Sequence, residues 1–452
     1  MSIAIHSFFL KNFDPLRLHL HLCPDGPGLL ETLNPLEKTG RYSIVPLRRR
    51  DSFLLEQGRL FQLNNGNRLE RTGRALDTLA EILTERAVPP SAETPFPGGF
   101  FGYFGYDLAQ QIEELPFNSD RDLPLPDLYL DWIDLTAVYD HARQRVILAS
   151  LKQDEDFLPL ERAIRDSQRI PLQHPNLTIL QPIKPTIESD QFMTMVRKAK
   201  NYIAAGDVYQ VNLSCRFDGQ VAASEHHLYQ RLRTINPSPF ACLLRFPNLK
   251  IISSSPERLV SLQDRLAEVR PIAGTRPRGF NPPRDSRLER ELLDHPKERA
   301  EHIMLLDLMR NDLGKVCRSG TVCVDEMMVL ERYSHVSHIV SNVQGILRDE
   351  MGPFDLLKAT FPGGTITGVP KKRCMEIIDE LEPLGRGSYT GSAGYISATG
   401  NMDLNILIRS YQLIGQTLTY QVGAGIVADS IPENEWQECL SKGVALQQAL
   451  EG

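Results

Sequence analysis

Apolar residues along the chain recur with two periods, and the change from one to the other marks out the elements. Leu76, Leu79, Ile82 and Leu83 share one face of a helix over residues 74–86, and Phe192, Val196, Ala199 and Ile203 share one over 189–205, where Gly206 stops it. Helices are also predicted over 156–169, 297–315 and 371–381, with another after residue 430. Alternation predicts a buried strand at 40–45, paired strands at 128–140 and 144–151, a strand at QVNLSCRF, and a hairpin from 391–396 and 401–411. Residues 28–31 read as a loop, and 270–279 as a basic surface loop. Pro182 and Pro185 discourage regular structure. The organisation read from this is an amino-terminal region, 1–152, a linker, 153–189, and a larger region, 190–452. Many short strands with separate helices place the fold in the α+β class.

Composition narrows the function. With 41% hydrophobic and 24% charged residues the chain has ordinary globular proportions. A net charge of −7 argues against a nucleic-acid partner, and Arg48-Arg49-Arg50 is too short to reverse that. No run of about 18 apolar residues predicts a membrane span, and the amino terminus lacks a secretory pattern, so a cytoplasmic protein is expected. Seven scattered cysteines without C-x-x-C pairs suit reduced thiols rather than disulfides or zinc.

Candidate chemistry concentrates in QVGAGIVADSIPENEWQECLSKG, residues 421–443. Gly423, Ala424 and Gly425 read as a small-residue turn whose amides could face an anion. Asp429 or Ser430 can cap the helix that follows, and Glu435, Glu438 and Lys442 then recur on one face. Alone, that face is an ordinary solvated salt-bridge ladder. A second helix carries Glu298 and Glu301, again three apart, and two such helices facing across a cleft would suit Mg²⁺, which takes carboxylate oxygens and keeps waters. Glu257 sits where the chain leaves an apolar strand; a poorly solvated carboxyl there could act as a general acid. His335 and His338 alternate in one stretch, so one of them would face a given cleft. FPGGTITGVP, ahead of the 371–381 helix, can bind an anion, although it is not a P-loop.

GDVYQVNLSCRF, SSPERL, RPIAGTRPRG, KERAEHIMLLDLMRNDLG, SHIVSNV, FPGGTITGVPKKRCMEIIDELEP, GSAGYIS, GNMDLNILIRS and GAGIVADSIPENEWQECLSKG, in that order, resemble the chorismate-utilising enzymes. These include anthranilate synthase component I, aminodeoxychorismate synthase component I, isochorismate synthase and salicylate synthase. The match spans roughly 190–445; GLLETL, GRYSIV and GGFFGYFGYD resemble the amino-terminal region of the two aminating members.

The resemblance implies two large antiparallel sheets packed as a sandwich with helices outside and the two sequence halves interwoven. It implies Mg²⁺ on Glu301 and Glu438, with Glu298 and Glu435 behind water, gripping the ring carboxylate of chorismate. Gly423, Gly425 and Lys442 would meet carboxylate oxygens, and Tyr395 with Arg409 the enolpyruvyl carboxylate. Glu257 would protonate the departing ring hydroxyl, with His338, Ala273 and Thr275 beside the ring and Thr365 among the substrate contacts. Gln210 stands where isochorismate and salicylate synthases have a water-activating lysine, so ammonia is the implied nucleophile, supplied by a separate glutamine amidotransferase subunit. Leu30, Glu31, Tyr42, Ser43, Asn236 and Pro237 match segments lining a tryptophan pocket. Ala273 replaces the lysine usual in aminodeoxychorismate synthases and favours anthranilate chemistry; FPGGTITG and GNMDLNILIRS favour aminodeoxychorismate synthase component I, the preferred reading. A non-catalytic amino-acid-binding relative would have lost the acidic and basic site positions, which are present.

Overall fold

The computed structural model describes residues 3–35, 39–64, 66–116, 118–173, 177–278, 281–332 and 336–451. His335 falls outside them, as do the side chains of Ala273 and Thr275, whose backbone lies in a strand.

Two long strands, Tyr42–Glu56 and Leu128–Asp140, pair with each other and organise everything else. Their ladder slips between Pro46 and Asp51, and on either side of those irregularities it belongs to a different sheet. One sheet takes the 42–46 and 135–140 ends. It runs outward to Arg145–Ser150 and Ala4–Phe9 on one side. On the other side it runs through Gly28–Glu31, Phe240–Arg245, Lys250–Ser255, Ser410–Ile414, Thr417–Ile426 and Gln210–Ala223. The second sheet takes the 51–56 and 128–133 ends and continues through Gly99–Phe104, Ser392–Ser397, Met402–Asn405, Arg258–Gln263, Leu266–Val269 and Val336–Ile346. Every one of these ladders is antiparallel, and the α+β class holds. Strands on both sides of the 153–189 segment pair directly, 28–31 with 240–245 and 99–104 with 392–397.

Between the sheets lies a layer in which Ile44, Cys242, Leu244 and Ile251 of the first meet Phe101, Tyr103, Ala393 and Tyr395 of the second. The outer faces bury against helices: Leu76, Leu79, Ile82 and Leu83 of Ala75–Glu85, and Phe192, Val196 and Ala199 of Ser189–Ala205. The Arg48-Arg49-Arg50 cluster sits at the bend of the long pair. Arg48 reaches Asp134 at 2.6 Å and Glu155 at 2.8 Å, and Arg49 the buried Asp131 at 3.7 Å, so these cations have internal partners.

Several expectations are corrected. Gly28–Glu31 is a strand rather than a loop, because its partner Phe240–Arg245 supplies a ladder that no local pattern announces. Leu177–Pro185 is also a strand, on the rim of the first sheet, where a proline's missing N–H costs no ladder bond. Residues 272–277 are not a surface loop but a strand paired with Val336–Ile346. Gly423-Ala424-Gly425 is no turn; it lies inside Thr417–Ile426 and pairs with Ser214, Leu213 and Asn212. The helix after it, Pro432–Leu450, has Ile431 at its N-cap, and the Ser430 hydroxyl instead accepts from the Val427 N–H.

Candidate active site

Helix Pro432–Leu450 packs across strand Thr417–Ile426 and against helix Ser189–Ala205, which brings its polar face over the glycines. Lys442 Nζ donates to the Gly423 carbonyl at 2.9 Å and pairs with Glu438 at 2.7 Å. Its charge also acts on Glu257. Glu257, between strands Lys250–Ser255 and Arg258–Gln263, is buried, and burial pushes its carboxyl up to about 7 against the opposing pull of a hydrogen bond from Thr365 and the charge of Lys442. Thr365 Oγ1 donates to Glu257 Oε1 at 2.8 Å, from the short 3₁₀ turn Gly364–Ile366 within the expected anion-binding FPGGTITGVP stretch.

Arg409, at φ 53° in the connection before Ser410–Ile414, is held with its guanidinium inside the protein. Among the described residues it makes no side-chain hydrogen bond or ion pair, and burial lowers its pKa. Tyr389 and Glu438 lie within reach of its charge, and so does His338. A partly enclosed cation without a direct ion pair is ready for an anionic ligand.

His338 lies on strand Val336–Ile346, and its Nδ1–H donates to the Gly274 carbonyl at 3.2 Å, which leaves Nε2 as the acceptor. Burial holds its pKa below the ordinary value, so the neutral ring is favoured. Gly274 has φ 64°, and a Cβ there would stand 2.1 Å from Glu298 Oε2. Glycine thus lets the helix Pro296–Gly314 lie against this strand. Glu298 pairs through its other oxygen with Arg276 at 2.7 Å, leaving Oε2 buried without a hydrogen bond. At the other edge Gln210 lies over Gly425, where a Cβ would come within 2.5 Å of its amide nitrogen, and its Oε1 is buried and unsatisfied.

The structure therefore brings Glu257, Thr365, Lys442, Glu438, Arg409 and His338 into one neighbourhood, with Gln210 and Gly425 at its edge. Among the described residues no three acidic or imidazole groups stand close enough to enclose an ion. Glu438 is turned to Lys442 and Glu298 to Arg276. Ala273 and Thr275 pair through their backbones with Ile339 and His338.

Tyr395 is not brought to Arg409. Its ring packs on Phe96 and lines a cavity of about 220 Å³ between the sheets, with Leu30, Glu31, Tyr42, Arg258 and Asp403. Of the other residues expected there, Ser43 braces the Thr32 N–H at 3.0 Å and Asn236 reaches the Ser254 carbonyl at 3.2 Å, both behind the wall. Pro237 likewise stands outside the lining, which takes Pro239 and Phe240 instead. Glu31 accepts from Tyr229 at 2.6 Å and pairs with Arg233 at 2.9 Å. The tyrosine beside Arg409 is Tyr389, which sequence reasoning passed over. It lies in the RGSYTG turn, outside any alternating pattern, so periodicity said nothing of it, and its ring is buried at the site.

Comparisons with known proteins place the chain in a family. The chain is 51% identical over 364 residues to an anthranilate synthase component I-like protein of Synechocystis, covering 79% of this chain and 74% of that one. It is 44% identical to aminodeoxychorismate synthase component 1 of Bacillus subtilis, over 79% of this chain and 77% of the other. The crystal structure of anthranilate synthase component I from Streptococcus pneumoniae superimposes with a TM-score of 0.79 at 33% identity, over 98% of this chain and 99% of that one. The family model described as chorismate binding enzyme matches residues 38–448, and the chain belongs to that family of chorismate-utilising enzymes.

Proposed function

We propose that the chain replaces the ring hydroxyl of chorismate with ammonia to give 4-amino-4-deoxychorismate. The observation that carries this reading is Glu257: a buried carboxyl that stays protonated up to about pH 7, hydrogen-bonded by Thr365 and facing Lys442. It is suited to give its proton to the departing hydroxyl, which leaves as water while the amine takes its place. Arg409, with Tyr389 beside it, would hold the enolpyruvyl carboxylate, and the neutral His338 would sit against the ring. Lys442 would meet carboxylate oxygens of the substrate. The nucleophile is ammonia, since Gln210 offers an amide where activation of water calls for a base. A glutamine amidotransferase subunit would supply it.

Two helices each carry glutamates three apart, and Glu298 keeps a buried oxygen without a hydrogen bond, a donor chemistry that suits a hard cation. Glu301 and Glu438 would hold Mg²⁺ directly, with Glu298 and Glu435 behind water. When bound, the ion supplies positive charge to the ring carboxylate as the bonds rearrange. The cavity lined by Glu31 and Tyr395 is the candidate tryptophan pocket.

Ala273 favours a second product, anthranilate, because no lysine at that position can form an adduct with the ring. Incubation with chorismate, Mg²⁺ and an ammonium salt, with and without added aminodeoxychorismate lyase, tests both. 4-Aminobenzoate formed only with the lyase supports the first reading; fluorescent anthranilate without it replaces that reading with the second.

A further inference from the structure

Arg386 is buried, and every N–H of its guanidinium is used. Nε and Nη2 donate to the two oxygens of Glu382 at 2.9 and 2.7 Å. Nη2 also reaches the Asn212 carbonyl at 2.8 Å, and Nη1 the Ile366 carbonyl at 2.9 Å and Thr390 Oγ1 at 3.3 Å. The rings of Tyr106 and Tyr389 lie 4.8 and 5.7 Å from its central carbon. Glu382 in turn accepts from the Ser214 N–H at 2.8 Å and hydroxyl at 2.7 Å.

Each anchored point adjoins a different part of the candidate site. Ile366 follows Thr365, the partner of Glu257. Asn212 and Ser214 belong to the strand paired with Gly425 and Gly423. Thr390 follows Tyr389, whose hydroxyl stands 2.8 Å from where a Cβ on Gly423 would be, beside Arg409. A bidentate, planar fork fixes directions as well as distances, which a lysine in its place could not do.

We infer that Arg386 is a positioning residue that sets Thr365 against Glu257 and Tyr389 against Arg409, joining the proton donor and the carboxylate pocket through one buried guanidinium. The inference rests on the roles proposed above for Glu257 and Arg409.

The test is Arg386→Lys in the full chain, with turnover of chorismate followed against pH. Two effects are expected together: KM for chorismate rises by about tenfold, and the limb of kcat that falls with rising pH moves upward. The upward direction follows because the Thr365 hydrogen bond holds the Glu257 pKa down. Thr365→Val should move the limb in the same direction, and the double variant should move it no further than Thr365→Val does. A purely structural role would reduce the active fraction at every pH and leave both KM and the limb in place; that result overturns the inference. If Arg386→Lys does not fold, Glu382→Gln carries the same readouts with smaller shifts in the same directions, and unchanged values there overturn it equally. The carboxyl infrared band of Glu257, assigned with Glu257→Gln and followed against pH without substrate, keeps the two readings apart. A chain that does not turn over chorismate refutes the proposed function, while the band in Arg386→Lys still reports whether Arg386 sets the Thr365–Glu257 contact.

Discussion

Thr365 Oγ1 donates to Glu257 Oε1 at 2.8 Å, from a turn that touches the glutamate's strand nowhere in sequence. This contact and burial oppose each other: burial favours the neutral carboxyl and the hydroxyl favours the ionised one, and burial wins.

Turnover should therefore depend on a protonated Glu257, with kcat falling as pH rises through about 7. Glu257→Gln should lower kcat by about a hundredfold or more, with little change in substrate affinity. A pH–rate profile of the wild type alongside that variant is the check.

The same group makes a stability prediction. Its native pKa lies above its ordinary value of 4.5, so the folded state binds more protons between those limits and stability falls as pH rises through them. Glu257→Gln should be more stable than the wild type at pH 8, by up to about 3 kcal/mol, with the advantage gone at pH 4. Denaturant melts at the two pH values decide it.

Arg409 holds a buried charge without a direct ion pair, with Glu438 acting on it only at longer range. Arg409→Met should melt at or above the wild-type temperature yet weaken chorismate binding by roughly 30- to 100-fold. Thermal shift with and without substrate measures both; a lower melting point together with intact binding would refute the assignment.

Glu438→Gln should abolish Mg²⁺-dependent turnover while costing less than about 1 kcal/mol of stability, because its ion pair with Lys442 is solvent-exposed. Isothermal titration of Mg²⁺ into wild type and variant gives a readout independent of activity, and equal affinities would sink the metal role.

The two site glycines should respond differently to alanine. At Gly425 the added methyl meets the end of the flexible Gln210 side chain at 2.5 Å, so stability should change little and turnover should drop. At Gly423 it also meets the Leu213 backbone oxygen at 2.8 Å, which cannot yield cheaply. Gly423→Ala should cost about 1–3 kcal/mol, read by urea unfolding.

Much of this protein is legible in its sequence, wherever one short stretch carries its own physical signal. The periodicity at Leu76–Leu79–Leu83 and at Phe192–Val196–Ala199 fixes helices, since a buried stripe at 3.6-residue spacing has no other use. The order of motifs along the chain carries the resemblance to chorismate-utilising enzymes, and the family match bears that resemblance out. Partner-dependent features are not legible in this way. Gly28–Glu31 and Leu177–Pro185 are strands because distant strands offer them ladders, and Gly423–Gly425 is extended because Gln210–Ala223 lies alongside. The resemblance pairs Tyr395 with Arg409, and nothing in the spacing separates Tyr395 from Tyr389 in that place. Only the packing of the two sheets turns Tyr395 into the layer between them and leaves Tyr389 at the site. The raised pKa of Glu257, the buried charge of Arg409 without a direct ion pair and the hub at Arg386 are likewise decided by tertiary structure, because each depends on how much water, and which distant dipoles, the fold leaves around the group.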